Sequence, residues 1–152
     1  MRPPARVVLD TNVLIFALIS SGPPRSVVGM CRIGDILLVT SDAILTELAE
    51  VLRRKFQWES DRVAVLLEEI RSFALVVLPG QTVQKIRGDP ADNRVLECAL
   101  EGRVDFIVSG DTRHLQPLDV FEGIPIISPF AFMRRVDRTH LGAPRRRAGG
   151  VQ

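Results

Sequence analysis

The sequence predicts an α/β fold in which a parallel central sheet is flanked by helices. Short runs rich in Val, Ile and Leu alternate along the 152 residues with segments whose apolar residues recur at helical spacing. Strands separated by helices need crossover connections, and such connections produce parallel pairing. Hydrophobic residues make up 46% of the chain and aromatic residues only 5%, so we expect the aliphatic core that buried parallel strands provide.

Five short apolar runs are predicted strands, and six longer segments are predicted helices. The predicted strands are 7–9, 36–40, 75–78, 106–108 and 124–127. The predicted helices are 13–19, 24–32, 42–54, 60–73, 90–101 and 129–136. Because Pro125 has no N–H for a sheet ladder, the last strand is expected at the sheet edge. Segment 79–88 is expected to be a loop with one short helical turn.

Capping residues stand before several of the predicted helices. Thr11 or Asn12 can cap the first helix, and Ser41 precedes the third. Asp89 is the expected N-cap of the fifth helix, where Pro90 suits the first helical position. These signals predict where three of the six helices begin.

The charge distribution divides the chain into a body, residues 1–136, and a basic tail, residues 137–152. The formal net charge is only +2, but the tail carries Arg145, Arg146 and Arg147. Such a segment is either a solvated, flexible terminus or a contact for an acidic partner such as RNA. We expect one folded domain followed by a flexible tail that makes at most a weak contact with RNA.

Cysteine usage and the lack of a long apolar segment favour a cytoplasmic protein. Cys31 and Cys98 lie on apolar faces of predicted helices, so we expect core residues rather than disulfide or metal ligands. The start of the chain does not have the pattern of a signal peptide. The longest apolar stretch, 13–19, is too short to cross a bilayer. No membrane partner is expected.

Two acidic residues follow predicted strands at the edge where open parallel sheets bind ligands. Asp10 comes directly after the first strand, and Asp111 follows the fourth strand through Ser109 and Gly110. A carboxylate at the end of a central strand is partly desolvated, which is costly unless it is paired or bound to a metal. Capping a helix or a turn is the alternative role for either residue.

Two further acids are directed toward the core by their helical phase. Glu47 shares a helix face with Ile44 and Val51, at the margin of the apolar stripe. Asp92 lies three residues before Val95 and therefore on the inner face of its helix. An acid in a first helical turn also complements the helix dipole, which is the alternative role for Asp92.

Four converging carboxylates need protons or cations to neutralise them. Two unit charges ~4 Å apart repel by about 4 kcal/mol at an effective dielectric of 20. Oxygen ligands suit hard cations such as Mg²⁺ or Mn²⁺. A metal held in this way activates water and stabilises the charge that develops during phosphodiester hydrolysis. The acidic set therefore indicates metal-dependent hydrolysis of a phosphodiester.

Four segments of the chain together resemble the motifs of the PIN-domain family. They are 7–14 (VVLDTNVL), 41–48 (SDAILTEL), 89–99 (DPADNRVLECA) and 107–111 (IVSGD), in the family's order and spacing. The resemblance spans about residues 6–133. It implies a Rossmann-like α/β/α sandwich and an Mg²⁺- or Mn²⁺-dependent nuclease that cleaves single-stranded RNA.

The resemblance also implies roles for individual residues. Those in the positions of the metal-binding and catalytic acids are Asp10, Glu47, Asp92 and Asp111. Those in supporting positions are Asn12, Ser109, Asp89 and Glu97. Asn12 or Ser109 would support the acids through hydrogen bonds. Asp89 and Glu97 leave open which carboxylate of the third motif is the ligand, and Asp92 is preferred for its inward phase.

Compact bacterial members of the family are usually toxins that a small antitoxin inhibits, and they often form homodimers. The resemblance therefore implies a toxin ribonuclease with an antitoxin partner. In the implied mechanism, Asp10, Asp92 and Asp111 hold one or two metal ions, and Glu47 ligates a metal or orients the attacking water. In-line attack on phosphorus leaves a 5′-phosphate and a 3′-hydroxyl. His114 could approach the site, but we expect it to cap or pack a short helix.

Two other function classes share parts of this pattern. A phosphotransfer domain that forms an aspartyl-phosphate also begins with a strand-end Asp. It needs a second Asp where this chain has Asn12, and a nearby lysine, whereas Lys55 and Lys85 are poorly placed. A catalytically inactive PIN fold could instead serve as an RNA-binding or interaction module, although all four acids are retained here.

Overall fold

The computed structural model describes residues 3–86 and 89–137. Its strands are β1 (Ala5–Leu9), β2 (Ile36–Ser41), β3 (Ala74–Val77), β4 (Phe106–Val108), β5 (Val120–Phe121) and β6 (Ile124–Ile127). Its helices are α1 (Thr11–Ile19), α2 (Pro23–Ile33), α3 (Asp42–Phe56), α4 (Ser60–Phe73), α5 (Pro90–Gly102) and α6 (Pro129–Asp137), with a 3-10 turn at Gln116–Leu118. Every predicted strand and helix is present, with bounds that agree within two residues.

The strands form one sheet in the order β3-β2-β1-β4-β6-β5, in which all neighbours are parallel except β6 and β5. From β1 the chain moves outward to β3, and it then returns to the other side of β1 as β4. β1 and β4 pair with Leu9 beside Val108, so the residues that follow them begin at the same edge. Open α/β sheets bind ligands at such a switch in strand order.

Helices flank the sheet and cover an aliphatic core. α2 and α3 contact β2, α4 contacts β3, and α5 contacts β1, β2 and β3. Val7, Val8 and Leu9 of β1 are fully buried, as a central strand covered on both faces requires. Cys31 and Cys98 are buried and free, which confirms that they are small core residues. The predicted α/β fold with a flanked, mostly parallel sheet is therefore confirmed.

The strand that contains Pro125 is not at the sheet edge, and this prediction is wrong. β5 pairs with β6 in an antiparallel sense and forms the edge itself, with Val120 opposite Pro125. The turn between the two strands runs through Glu122 and Gly123, both with positive φ (51° and 80°). A two-residue strand is too short to show a period-two pattern, so the sequence gives no sign of it.

Two boundaries on either side of α5 also differ from expectation. Residues 79–86 contain no helical turn, and residues 87–88 lie outside the described part of the chain. At its other end, α5 continues through Gly102 and is capped by Arg103 in the left-handed conformation (φ 50°). A Cβ on Gly102 would overlap the side chain of Val39, so glycine is needed here for close packing of helix on sheet.

Within residues 3–86 and 89–137, no single helix is long and apolar enough to span a membrane. Only α1 and α2 taken together reach the required length and composition, and they are bent by 98° at their junction. The tail with Arg145, Arg146 and Arg147 lies outside the described residues.

Candidate active site

Asp10 is the residue after β1 and the N-cap of α1. Its Oδ1 accepts a hydrogen bond from the backbone N–H of Val13 (2.9 Å), so Asp10 caps the helix rather than Thr11 or Asn12. Its Oδ2 accepts a hydrogen bond from the Ser109 hydroxyl. Burial raises the pKa of Asp10 to about 6, although both hydrogen bonds act in the opposite direction. Asp10 is thus both the helix cap and a buried carboxyl whose ionisation is disfavoured by burial.

Ser109 links the two acids that follow β1 and β4. Its hydroxyl donates to Asp10 and also accepts the backbone N–H of Asp111 (2.9 Å). The Asp111 carboxylate in turn accepts the N–H groups of Arg113 (2.9 Å) and His114 (3.2 Å). Desolvation acts to raise the pKa of Asp111, but the neighbouring Asp92 carboxyl and these backbone N–H groups lower it. Of the two acids that Ser109 links, Asp111 therefore ionises more readily than Asp10.

Asp92 lies in the first turn of α5 and is only 8% exposed. Desolvation raises its pKa to about 8, and so do a hydrogen bond that the protonated carboxyl makes to Asp111 and the charges of Asp89, Asp111 and Asp10. Among the described residues, no group donates a hydrogen bond to the buried Oδ2 of Asp92 when its carboxyl is ionised. A buried carboxylate oxygen without a donor is costly, so this atom is a natural ligand for a proton or a cation.

Glu47 and Asp89 complete the group of interacting acids. Glu47 is half-buried on α3, and burial raises its pKa, followed by the charges of Asp89, Glu50 and Asp10. Asp89 caps α5 as predicted, because its Oδ1 accepts the backbone N–H of Ala91 (3.0 Å). We call these five carboxyl residues the acidic cluster. Its members are Asp10, Glu47, Asp89, Asp92 and Asp111.

His114 lies beside the acidic cluster. From the sequence we expected it to cap or pack a short helix. Its Nδ1 is 3.5 Å from Oδ2 of Asp92 and 3.5 Å from Oδ2 of Asp111. Donor atoms of Asp89, Asp92 and His114 all lie within 4.8 Å of one another. The spacing of three residues after Asp111 is the only sign of this position in the sequence, and it does not reveal the proximity of α5.

A family model described as PIN domain matches residues 6–113. The chain belongs to the PIN-domain family. It is similar to the solved structure of the PIN domain endonuclease Utp24, with a TM-score of 0.52, 20% identity, and coverage of 84% of this chain and 86% of that one. It is also similar to FitAcB from Neisseria gonorrhoeae, with a TM-score of 0.49, 16% identity, and coverage of 82% and 98%. No curated protein matches the sequence significantly.

The acidic cluster of this PIN domain suits a divalent metal. Its donors are carboxylate oxygens, which hard cations prefer. Burial and mutual repulsion raise the pKa of Asp10 and Asp92, so the protein alone does not compensate their charge. The unpartnered Oδ2 of Asp92 marks where an added positive charge would be most stabilising. Of these acids, Asp89 and Asp92 lie with His114 in a group whose ligand atoms are all within 4.8 Å of one another.

Two candidate supporting residues of the PIN domain are not part of this arrangement. Asn12 is exposed at the start of α1, and its side chain hydrogen-bonds to no other described residue. Glu97 is buried, but its Oε2 accepts the backbone N–H of Val83 (2.8 Å) and an Nη2 hydrogen bond from Arg94 (2.7 Å). Glu97 is thus engaged in fixing a loop, which its position in the third motif did not disclose.

Three side chains along one face of α5 hold the loop of residues 78–86. Asn93 bonds both backbone groups of Ile86, accepting its N–H (2.8 Å) and donating to its carbonyl (2.6 Å). Four residues on, Glu97 accepts from Val83, and after four more Glu101 accepts the N–H of Gly80 (3.0 Å). We call this set of contacts the α5 ladder. It fixes the chain that leads toward Asp89 and Asp92.

Proposed function

We propose that this PIN domain is a metal-dependent endoribonuclease that cleaves single-stranded RNA by hydrolysis. The observation that carries the proposal is the buried Oδ2 of Asp92, which has no hydrogen-bond donor among the described residues although it lies among other carboxyls. A stable fold keeps such an atom when a cation completes the site. The members of the PIN-domain family are generally nucleases, and a bound cation can promote phosphodiester hydrolysis.

Each acid has a proposed role that follows from its surroundings. Asp10, Asp92 and Asp111 hold Mg²⁺ or Mn²⁺, and Ser109 fixes the orientation of Asp10 through its hydroxyl. Glu47 is less buried and either ligates the ion or orients the attacking water. When bound, the ion lowers the pKa of water and neutralises charge on the phosphate. The expected products carry a 5′-phosphate and a 3′-hydroxyl.

A more specific proposal concerns the biological role. It rests on the likeness of the four motifs to those of compact bacterial PIN domains. We propose a toxin of a toxin–antitoxin pair, held inactive by a small antitoxin protein and acting as a homodimer in the cytoplasm. Utp24, to whose solved structure the chain is similar, is a PIN domain endonuclease, and at 20% identity the likeness supports the fold alone. Cleavage by this chain is thus a matter for direct measurement.

The experiment is cleavage of a mixed pool of end-labelled single-stranded RNA. Wild-type protein is incubated with Mn²⁺, with Mg²⁺ or with EDTA, beside Asp10→Asn. Asn retains the helix cap and removes the charge, so the variant should fold. Asp61→Asn is the matched control, because Asp61 is exposed on α4 and is not a member of the acidic cluster.

The proposal expects metal-dependent cutting by wild type and Asp61→Asn and no cutting by Asp10→Asn. No cutting under any condition, by a folded protein that binds metal, would instead support the inactive RNA-binding or interaction module. Equal cutting by Asp10→Asn and wild type would show that the charge of Asp10 in the acidic cluster is not needed for cleavage.

A further inference from the structure

We propose that His114 supplies a nitrogen ligand to the metal site, so that the site takes Mn²⁺ or another first-row transition ion in preference to Mg²⁺. The inference rests on the proposed function in one respect, since it takes the acidic cluster as the metal site. It goes further in naming a ligand outside the four acids and in predicting which class of ion the site selects.

The first observation is the position of the imidazole. Nδ1 of His114 is 3.5 Å from Oδ2 of Asp92 and 3.5 Å from Oδ2 of Asp111, distances too long for hydrogen bonds. Ligand atoms of Asp89, Asp92 and His114, one from each residue, all lie within 4.8 Å of one another. Atoms at this spacing need only small side-chain movements to reach ligand distances of about 2.0–2.2 Å from one ion.

The second observation is independent of the spacing and concerns the atom that His114 faces. Oδ2 of Asp92 is buried, belongs to a residue that is 8% exposed, and receives no hydrogen bond from a donor among the described residues when the carboxyl is ionised. It is one of the two carboxylate oxygens nearest to Nδ1 of His114. A cation between them would satisfy both the orphaned oxygen and the imidazole nitrogen.

The backbone around His114 holds the imidazole in place. The Asp111 carboxylate accepts the backbone N–H of His114 (3.2 Å) and that of Leu115 (3.3 Å), and Leu115 is fully buried. The turn that carries the histidine is therefore tied to a proposed metal ligand. His114 itself is half-buried, with 34% of its side chain exposed, so an ion can reach it from solvent.

The chemistry of the two donor types gives the selectivity. Carboxylates and water suit Mg²⁺ and Mn²⁺ alike, and imidazole suits transition ions, most strongly the later ones of the first row. Mn²⁺, as a transition ion, accepts an imidazole nitrogen more readily than Mg²⁺ does. A site with carboxylate oxygens and one imidazole nitrogen is accordingly biased toward Mn²⁺. Removing the nitrogen while keeping the acids should reduce Mn²⁺ affinity and leave Mg²⁺ affinity almost unchanged.

The test compares wild type with His114→Gln and with His140→Gln, which removes the only other histidine of the chain. Calorimetry at pH 7.5 gives the dissociation constants for Mn²⁺ and Mg²⁺. We expect His114→Gln to weaken Mn²⁺ binding by at least about tenfold, the lower end of what loss of an outer ligand-support contact costs. Mg²⁺ binding should change by less than about twofold, and His140→Gln should match wild type.

Pulsed electron paramagnetic resonance of bound Mn²⁺ supplies a readout that does not depend on activity. Modulation from a directly coordinated ¹⁴N nucleus should be present in wild type and His140→Gln and absent in His114→Gln. Absence of ¹⁴N modulation in wild type would overturn the inference, because His114 would then only pair with the carboxylates. An unchanged ratio of Mn²⁺ to Mg²⁺ affinity in His114→Gln would do the same.

RNA cleavage measured in parallel separates this inference from the proposed function. Cleavage by wild type without ¹⁴N coordination would retain the nuclease and remove the histidine ligand. Coordination by His114 without cleavage of any RNA would retain the ligand and contradict the nuclease. A wild-type protein that binds neither ion would contradict both.

Discussion

A single hydroxyl, that of Ser109, joins the ends of the two central strands. It donates to Asp10 and accepts from the backbone of Asp111, so it sets the position of one carboxyl and the course of the chain before the other. The backbone carbonyl of Ser109 accepts a hydrogen bond from the side-chain amide of Gln116 (2.7 Å). The orientation of the candidate site therefore depends on a residue that carries no charge.

Replacing Ser109 with Ala should leave Oδ2 of Asp10 and the backbone N–H of Asp111 without the hydrogen bonds that they make to the hydroxyl. The expected loss in the free energy of unfolding is about 1–3 kcal/mol, measured by urea denaturation. Ser72→Ala is the control, because Ser72 is exposed on α4 and should change stability by less than about 0.5 kcal/mol. Equal effects of the two substitutions would mean that the Ser109 bridge has no energetic importance.

The shifted carboxyls also determine how the stability of the metal-free protein varies with pH. The pKa of Asp10 is raised to about 6 and that of Asp92 to about 8, so the folded state binds more protons than the unfolded state between these values and about 4. Stability contributed by their protonated forms is present below pH 4 and is lost as pH rises through 6 and 8.

In EDTA, the melting temperature should therefore be lower at pH 8.5 than at pH 5.5. Asp92→Asn should flatten this dependence, because the amide does not titrate. A melting temperature that rises over the same pH range, or an unchanged slope in the variant, would contradict the pKa shifts.

At the scale of elements, α5 is more than a crossover helix. Asn93, Glu97 and Glu101 recur every four residues and hold three successive points of the preceding loop. These bonds favour an extended course of segment 79–86 over a helical turn, since the N–H groups of Gly80, Val83 and Ile86 are bonded to side chains of α5. Helical spacing placed the three polar residues on one face, but the sequence could not show that the face meets a loop.

Asn93→Ala should weaken the α5 ladder at its buried end. Both backbone groups of Ile86 lose their partner, and we expect a loss of about 1–3 kcal/mol in the free energy of unfolding. Hydrogen exchange of the Ile86 and Val83 amides should become faster. Glu101→Gln is the matched control at the exposed end, and it should change stability by less than about 0.5 kcal/mol. Unchanged exchange at Ile86 in Asn93→Ala would show that the loop does not need the ladder.

The elements that the sequence predicted are those with long or sharply bounded patterns. Aliphatic runs located β1, β2 and β4, and the pair Asp89-Pro90 located the start of α5. The two-residue strand β5 gave no pattern. The N-cap of α1 is Asp10, which the sequence left open beside Thr11 and Asn12 because a strand-end Asp can cap as well as ligate. Local sequence describes periodicity well, whereas competition between roles is settled by tertiary contacts.

At the scale of the whole molecule, the switch in strand order brings distant residues together. Asp10 and Asp111 are joined through Ser109 because β1 and β4 are neighbours, and α5 then adds Asp92. That these acids converge followed from parallel topology and helical phase. The contact of His114 with Asp92 depends on the relative placement of a turn and a helix, which neither pattern contains.

The basic tail, residues 137–152, would contribute to RNA binding by the whole chain rather than to the acidic cluster. If Arg145, Arg146 and Arg147 bind phosphates, deleting residues 139–152 should reduce the salt dependence of RNA affinity. Each lost phosphate contact should lower the slope of log K against log salt by about 0.7 for single strands. The measurement is fluorescence anisotropy over a range of salt concentrations, and an unchanged slope would reject a role of the tail in binding.

The most direct test of the central claim is whether Asp92 is required for metal binding. The melting temperature of wild type should rise on addition of Mn²⁺, because the ion binds the folded acidic cluster and not the unfolded chain. Asp92→Asn should fold but show little of this rise, while Asp61→Asn should show all of it. An equal rise in Asp92→Asn and wild type would place the metal elsewhere and contradict the account of the site.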